Sequence, residues 1–205
     1  MAFYDRYIMP RFIDFACGTE AATEQRKRIV GLAEGCVLEM GFGSGLNLPL
    51  YDPRRVDEVI GVEPHDVMWS RSAKRRAEAS VPVERIAISG EELALDDETV
   101  DTALVTYTIC TIPDAVAALR EMRRVLKPSG QMLFVEHGEA PDPSVRRWQR
   151  RIDPLWKMIT GGCHSGRPIV DYIRAAGWII EQLESDYIPG PKPISYEYCG
   201  SARPA

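Results

Sequence analysis

The chain is 205 residues long, 45% hydrophobic and 27% charged, with a formal net charge of -5. That length supports one well-buried core and is short for two domains, so a single domain over residues 1–205 is expected, and the negative balance gives the molecule no electrostatic reason to bind nucleic acid. Five cysteines, scattered and without a C-x-x-C pair, fit neither a disulfide framework nor a zinc signature, so no metal is expected and a reducing cytoplasm is the natural compartment.

The opening stretch MAFYDRYIMPRFIDFACG is rich in aromatics, but Asp5, Arg6, Arg11 and Asp14 interrupt it, so residues 1–20 read as a lid segment and not as a secretion signal. No run approaches the roughly 20 apolar residues of a membrane-spanning helix, and a soluble chain is expected. Residues 25–33 read as a helix, 36–40 as a buried strand entering a glycine loop at 41–45, and a short helix follows that stops near Pro53. A second strand spans 56–62, and Pro64 is placed in the first turn of a helix over 66–79, where its missing N–H costs nothing. The third strand is 83–88. A fourth, 100–107, leads to a helix opened by Pro113 and Asp114, with Val116, Leu119, Met122 and Leu126 on one face. Lys127-Pro128-Ser129-Gly130 reads as a helix stop and tight turn before a fifth strand at 132–136.

Residues 139–166 leave this alternation: from 141 onward arginines 146, 147, 150 and 151 mix with Trp148, Ile152, Leu155, Trp156 and Ile159, ending in a glycine-rich turn, which reads as a helical cap. A helix at 169–176 stops at Gly177, and strands at 178–183 and 194–199 make a hairpin. The fold class is therefore α/β and Rossmann-like: a seven-stranded, mostly parallel sheet with helices on both faces, a terminal antiparallel hairpin and a cap inserted after strand five.

Ligands of such sheets sit at the carboxyl ends of the strands. The loop E-M-G-F-G-S-G follows the first strand, and Gly41, Gly43 and Gly45 let backbone approach a ligand where side chains would collide. Asn47, in the turn that follows, is assigned to the same site. Glu63 ends the second strand where a carboxylate accepts hydrogen bonds from ribose hydroxyls, and Pro64 follows it. An NAD site shares that acid. The discriminator is Glu39: an acid at the head of the loop repels a pyrophosphate and favours the cationic amino acid end of S-adenosylmethionine (SAM), directly or through water.

With these residues in view, the chain resembles the class I SAM-dependent methyltransferases, in the group that includes quinone and phospholipid methyltransferases. E-M-G-F-G-S-G matches that group's first motif and G-V-E-P its second. The resemblance implies that Ser89, Gly90 and Glu91 lie along adenine and that Thr106 begins the segment beneath the methyl donor, with S-adenosylhomocysteine as product. The cap stretch R-R-I-D-P-L-W-K-M-I-T-G-G-C-H is similar to methyltransferase-like proteins whose animal members, held by an apolar N-terminal anchor that this chain lacks, methylate thiols; it implies Asp153, Trp156, Cys163 and His164 near the acceptor.

The segment after strand four, T-Y-T-I-C-T-I-P-D, is not the motif that grips a nucleobase amine. His137, His164 and Tyr107 are the groups placed to handle a proton, with the two histidines as catalytic candidates. His137 has an equal claim to a structural role on loop backbone. Tyr4 and Tyr7, with Phe3, Phe12, Phe15, Trp148 and Trp156, roof an apolar pocket or simply pack the core. The cap arginines are a solvated face or a seat for anionic lipid headgroups, which is the basis for peripheral membrane contact. The leading expectation is S-methylation of a small thiol; N- or O-methylation of a phospholipid or quinone-type lipid, and SAM binding without catalysis, are the alternatives.

Overall fold

The computed structural model describes residues 4–88 and 90–205; the expectations for Phe3 and Ser89 fall outside them. A π-helical turn, Tyr4–Ile8, runs into α1 (Met9–Cys17), and α2 (Glu20–Val30) follows. The chain then alternates β1 (Gly35–Met40), β2 (Val56–Val62), α3 (Asp66–Arg71), α4 (Ala73–Ala77), β3 (Val83–Ile86), β4 (Val100–Thr106), α5 (Ala115–Val125) and β5 (Leu126–His137). It closes with α6 (Pro143–Ile159), α7 (Ile169–Ala175), β6 (Trp178–Tyr187) and β7 (Tyr196–Pro204).

The strands form one sheet in the order β3-β2-β1-β4-β5-β7-β6, parallel except for β7, which runs antiparallel between β5 and β6. Central strands covered on both faces need apolar side chains on both, which is why β1, β4 and β5 read as continuous Val, Leu and Phe runs without alternation. One face packs Leu119 and Met122 of α5 and Ile169 and Ile173 of α7 on Leu38, Val105 and Phe134. The other packs Ile29 and Val30 of α2 on Val37, Leu104 and Leu133.

Several element boundaries differ from the sequence expectation: β3 ends at Ile86, the hairpin strands extend to Tyr187 and over Tyr196–Pro204, and four further differences have a visible cause or consequence. Helix α2 begins at Glu20, not 25, because the Thr19 hydroxyl accepts the Ala22 N–H as its cap. Pro64 stands before the cap residue His65 and outside the first turn of α3. The single helix expected at 66–79 is two, broken at Ser72, whose buried hydroxyl bonds back to the Trp69 carbonyl at 2.7 Å. No turn separates α5 from the fifth strand: β5 starts at Leu126 and absorbs residues 127–130 as a bulge, Val100 pairing with Leu126 and Thr102 with Gln131.

The cap is α6 and the turn after it. Gln149 anchors it: buried, it accepts the Ala140 N–H at 3.1 Å and donates to the carbonyls of Gly138 and Ser165, both at 2.9 Å.

Candidate active site

Strand order reverses between β1 and β4, and the crevice beyond their carboxyl ends is where an open parallel sheet binds its ligand. A cleft of about 1350 Å³ opens there, larger than the roughly 300–1,000 Å³ of a pocket for one small ligand and so roomy enough for a cofactor and an acceptor. Its walls are Gly41 and Gly43 of the loop, Glu63 and Pro64 after β2, Gly90 and Glu91, and Tyr107, Thr108, Thr111, Ile112 and Pro113 after β4; Tyr7, Met9, Pro10 and Ile13 of the N-terminal helices and Gly161 of the cap turn roof it.

The loop is held from below. The amides of Gly41 and Phe42 both donate to the Val62 carbonyl, at 3.1 and 3.0 Å, and Gly43 N–H donates to Glu63 Oε2 at 2.8 Å. Glu63 Oε1 accepts the His65 N–H at 2.8 Å. Burial pushes the Glu63 carboxyl up, while these two amides pull it back toward the ionised form. Each oxygen keeps a free lone pair for a ribose hydroxyl. At Gly43, φ is +58° and an added Cβ would meet nothing nearer than Met68 Cε at 3.7 Å, so the missing side chain leaves open cleft. A cradle that a Cβ would fill, beside a carboxylate with spare acceptor capacity, fits an adenosyl ligand.

Glu39 was expected to meet the cofactor's cationic end directly or through water; it does not line the cleft, so the direct route is not formed. Only 2% exposed, it points from β1 beneath the loop, where Tyr51 Oη donates to it at 2.6 Å and Asn47 Nδ2 at 3.0 Å. Burial raises its pKa to about 7, opposed by Tyr51 and Arg26. Asn47 and Thr106 belong to the same buried network and Gly45 to the far side of the loop, so none of these lines the cleft. The hub is Arg26 of α2, which donates to Asn47 Oδ1 at 2.9 Å and to Thr106 Oγ1 and lies over the Tyr107 ring at 4.8 Å. Tyr107 has φ of +53° and donates to Glu197 Oε1 at 2.8 Å. A non-glycine residue in that region is uncommon, and such outliers gather at functional sites.

Asp14 of α1 links the roof to the loop: its carboxylate accepts from Ser44 Oγ and from Arg71 Nη2 at 3.0 Å. Neither Arg26 nor Asp14 was a site candidate in the sequence, where Asp14 figured only as a charge interrupting the opening apolar stretch. The one available signal was an arginine on the apolar face Ala22, Ile29, Val30 of α2.

The remaining sequence candidates stand outside the cleft lining. His164 Nδ1 pairs with Asp153 Oδ2 at 2.9 Å within the cap turn, and Asp153 Oδ1 also accepts the Ser165 N–H at 2.8 Å. Trp156 packs edge-on against Phe12, and Tyr4 donates to the Ile159 carbonyl at 2.6 Å. His137, at the end of β5, approaches Cys163 Sγ at 3.1 Å and makes no bond to loop backbone. Burial works against its charge, but Cys110, Glu136 and Glu197 raise its pKa to about 9.

Comparisons with known proteins agree with this geometry. A family model for a methyltransferase domain matches residues 38–134. The thiol S-methyltransferase TMT1B of Rattus norvegicus is 34% identical over 74% of this chain and 63% of its own length, and TMT1A of Homo sapiens is 31% identical over 78% and 65%. A phosphatidylethanolamine N-methyltransferase of Cereibacter sphaeroides is 31% identical over 60% and 62%. The chain thus spans a little under two thirds of these curated relatives. Among solved structures, a SAM-dependent methyltransferase from Thermotoga maritima superposes with a TM-score of 0.65 at 23% identity, covering 99% of this chain and 98% of that one. A geranyl diphosphate methyltransferase in complex with SAM superposes with a TM-score of 0.69 at 15% identity, over 91% and 86%. The chain thus shares the fold of these solved methyltransferases, and residues 38–134 match the methyltransferase-domain model.

Proposed function

We propose that the chain, acting as one domain in a reducing cytoplasm, methylates the sulfur of a small apolar thiol. The observation that carries this reading is the roof of the cleft and the wall beside it, where Met9, Pro10, Ile13, Ile112 and Pro113 present an apolar surface; the similarity to thiol S-methyltransferases points the same way. When bound, SAM supplies a methyl group on a sulfonium. Gly41 and Gly43 give backbone room for it, Glu63 accepts from the ribose, and Gly90 and Glu91 border the base. Tyr107, held by Arg26 and Glu197, lines the cleft after β4.

The acceptor thiolate forms its bond to the methyl carbon as the sulfonium bond breaks, leaving a thioether and S-adenosylhomocysteine, with the thiol proton passing to water. A thiol with pKa near 8.5 is a few per cent ionised at neutral pH, so holding the partners collinear, worth ~7–11 kcal/mol, does most of the work. His164, paired with Asp153 in the cap turn, retains a claim as a proton acceptor for an approaching thiol. Labelled SAM offered to a panel of alkyl thiols, phospholipids, quinols and amines tests the reading. Label in thioethers, with a rate rising through the thiol pKa, supports it, and label in phospholipid or quinol alone overturns it. The second reading, a lipid acceptor, is favoured by the exposed apolar and basic face of α6.

A further inference from the structure

We infer that Cys110, His137 and Cys163 form a metal site for a thiophilic cation, Zn²⁺ in the first instance, at the junction of sheet and cap. The three donors come from the loop after β4, the end of β5 and the cap turn, and they are separated by 27 and 26 positions in sequence. Their ligand atoms lie within 4.8 Å of one another: His137 Nε2 is 3.1 Å from Cys163 Sγ, which is 3.3 Å from Cys110 Sγ. In a tetrahedral zinc site with bonds of about 2.3 Å to sulfur and 2.0–2.1 Å to nitrogen, the edges between donors are about 3.6–3.8 Å. These two edges reach that spacing if each opens by about half an ångström, which side-chain rotation supplies.

The chemistry of the donor set selects the ion. Two thiolates and an imidazole suit Zn²⁺ and exclude Mg²⁺ and Ca²⁺, which take oxygen. The cysteines are buried, at 2% and 9% exposure, and His137 is half-buried. Two groups around them lack partners: His137 Nδ1 and the indole N–H of Trp156 are both buried without a hydrogen bond.

The backbone that carries the donors is fixed in place. His164 N–H donates to the Cys110 carbonyl at 2.9 Å, and Arg167 clamps the carbonyls of Ile109 and Ile112 at 2.6 and 2.5 Å. No fourth protein donor joins the cluster among the described residues. Three protein ligands make an open site, its last position completed by water or an exogenous thiolate. Zinc there ties the cap turn to the strand ends whatever the methyl acceptor is, so the site stands or falls apart from the thiol reading.

The test uses the whole chain, reduced and stripped with a chelator, then titrated with Zn²⁺ and with Co²⁺ as a spectroscopic substitute. The expected result is one ion per chain, a thiolate-to-cobalt charge-transfer band, and a rise in melting temperature with Zn²⁺ that chelator reverses. Cys110→Ser and Cys163→Ser should each lower Zn²⁺ affinity beyond the roughly 10–100-fold caused by losing a supporting hydrogen bond, whereas Cys199→Ser keeps full affinity. The cobalt spectrum and melting shift of the unaltered chain need no variant, so a misfolded serine variant leaves the test intact. Absence of the charge-transfer band, equal affinity in all three serine variants, or a Cys110–Cys163 disulfide that forms in air while the reduced chain ignores Zn²⁺ overturns the site.

Discussion

Glu136 is the most telling single residue beneath the cleft. Fully buried, its Oε1 accepts the amides of Thr108 and Ile109 at 2.5 and 2.9 Å, while Oε2 has no partner. Burial, reinforced by Cys110, raises its pKa from 4.5 to about 8. A raised folded-state pKa means that stability present below about 4.5 is lost as pH rises through 8, because the folded chain holds a proton the unfolded chain has released. Glu39 at about 7, Glu197 at about 6 and His137 at about 9 act in the same direction. The ligand-free, metal-free chain should therefore lose melting temperature steadily from pH 5 to pH 9, and a calorimetric series checks it. Glu136→Gln, an isostere of the neutral acid, should flatten that decline at little cost at pH 7. Glu136→Ala should cost about 1–3 kcal/mol at every pH by stranding two amides; an equal slope in Glu136→Gln would move the titration elsewhere. At the loop, Glu63→Ala should weaken SAM binding by about 1.5–3 kcal/mol in titration calorimetry. Gly43→Ala should add roughly 1–2 kcal/mol of left-handed strain and place a methyl group in the cleft. Unchanged affinity in Glu63→Ala would put the ribose on other partners.

Among the elements, the cap depends on one amide. Gln149 bonds four backbone groups, drawn from the end of β5, the start of the cap, its closing turn and Pro193 ahead of β7. Gln149→Ala should cost on the order of 3 kcal/mol by leaving them buried and unpaired. Hydrogen exchange should show α6 and the 160–166 turn opening ahead of the sheet, with SAM affinity nearly unchanged. Exchange rising equally across the sheet would make Gln149 part of the global core. The strands and their order of appearance were readable in the sequence because each central strand is an apolar run bounded by turn residues, a local property. The break at Ser72 and the bulge at 127–130 were not: the first turns on a serine hydroxyl bonding back to the Trp69 carbonyl, which a serine in a helical stretch does not announce, and the second on pairing with the distant strand β4. The same holds at the site. Gly41, Gly43 and Glu63 are legible from spacing alone, whereas the burial of Glu39 and the role of Arg26 depend on α2 crossing behind β1 and β4.

For the molecule as a whole, the question is whether it works free in solution or against a bilayer. Among the described residues no helix is long and apolar enough to cross a membrane. Lying on one is a different matter. Phe15 of α1 is 76% exposed, and Trp148, Leu155 and Met158 of α6 are 56%, 57% and 66% exposed. On α6 they recur at seven- and three-residue spacing, on one helical face, among exposed Arg147, Arg150, Arg151 and Lys157, the pattern of a helix that rests in a headgroup layer. The net charge of -5 opposes any general attraction to anionic lipid, so binding has to come from this face. Each basic residue near such a surface is worth about 1 kcal/mol, so Arg147→Ala with Arg151→Ala should weaken vesicle binding roughly 30-fold, and high salt should release the unaltered chain. Flotation with vesicles containing phosphatidylserine reads this directly; a chain that stays at the bottom of the gradient at low salt has no membrane face. The same preparation separates the two acceptors. If the acceptor is a free thiol, its methylation is indifferent to vesicles and to the double substitution, whereas a lipid acceptor ties turnover to flotation, and the two fall together.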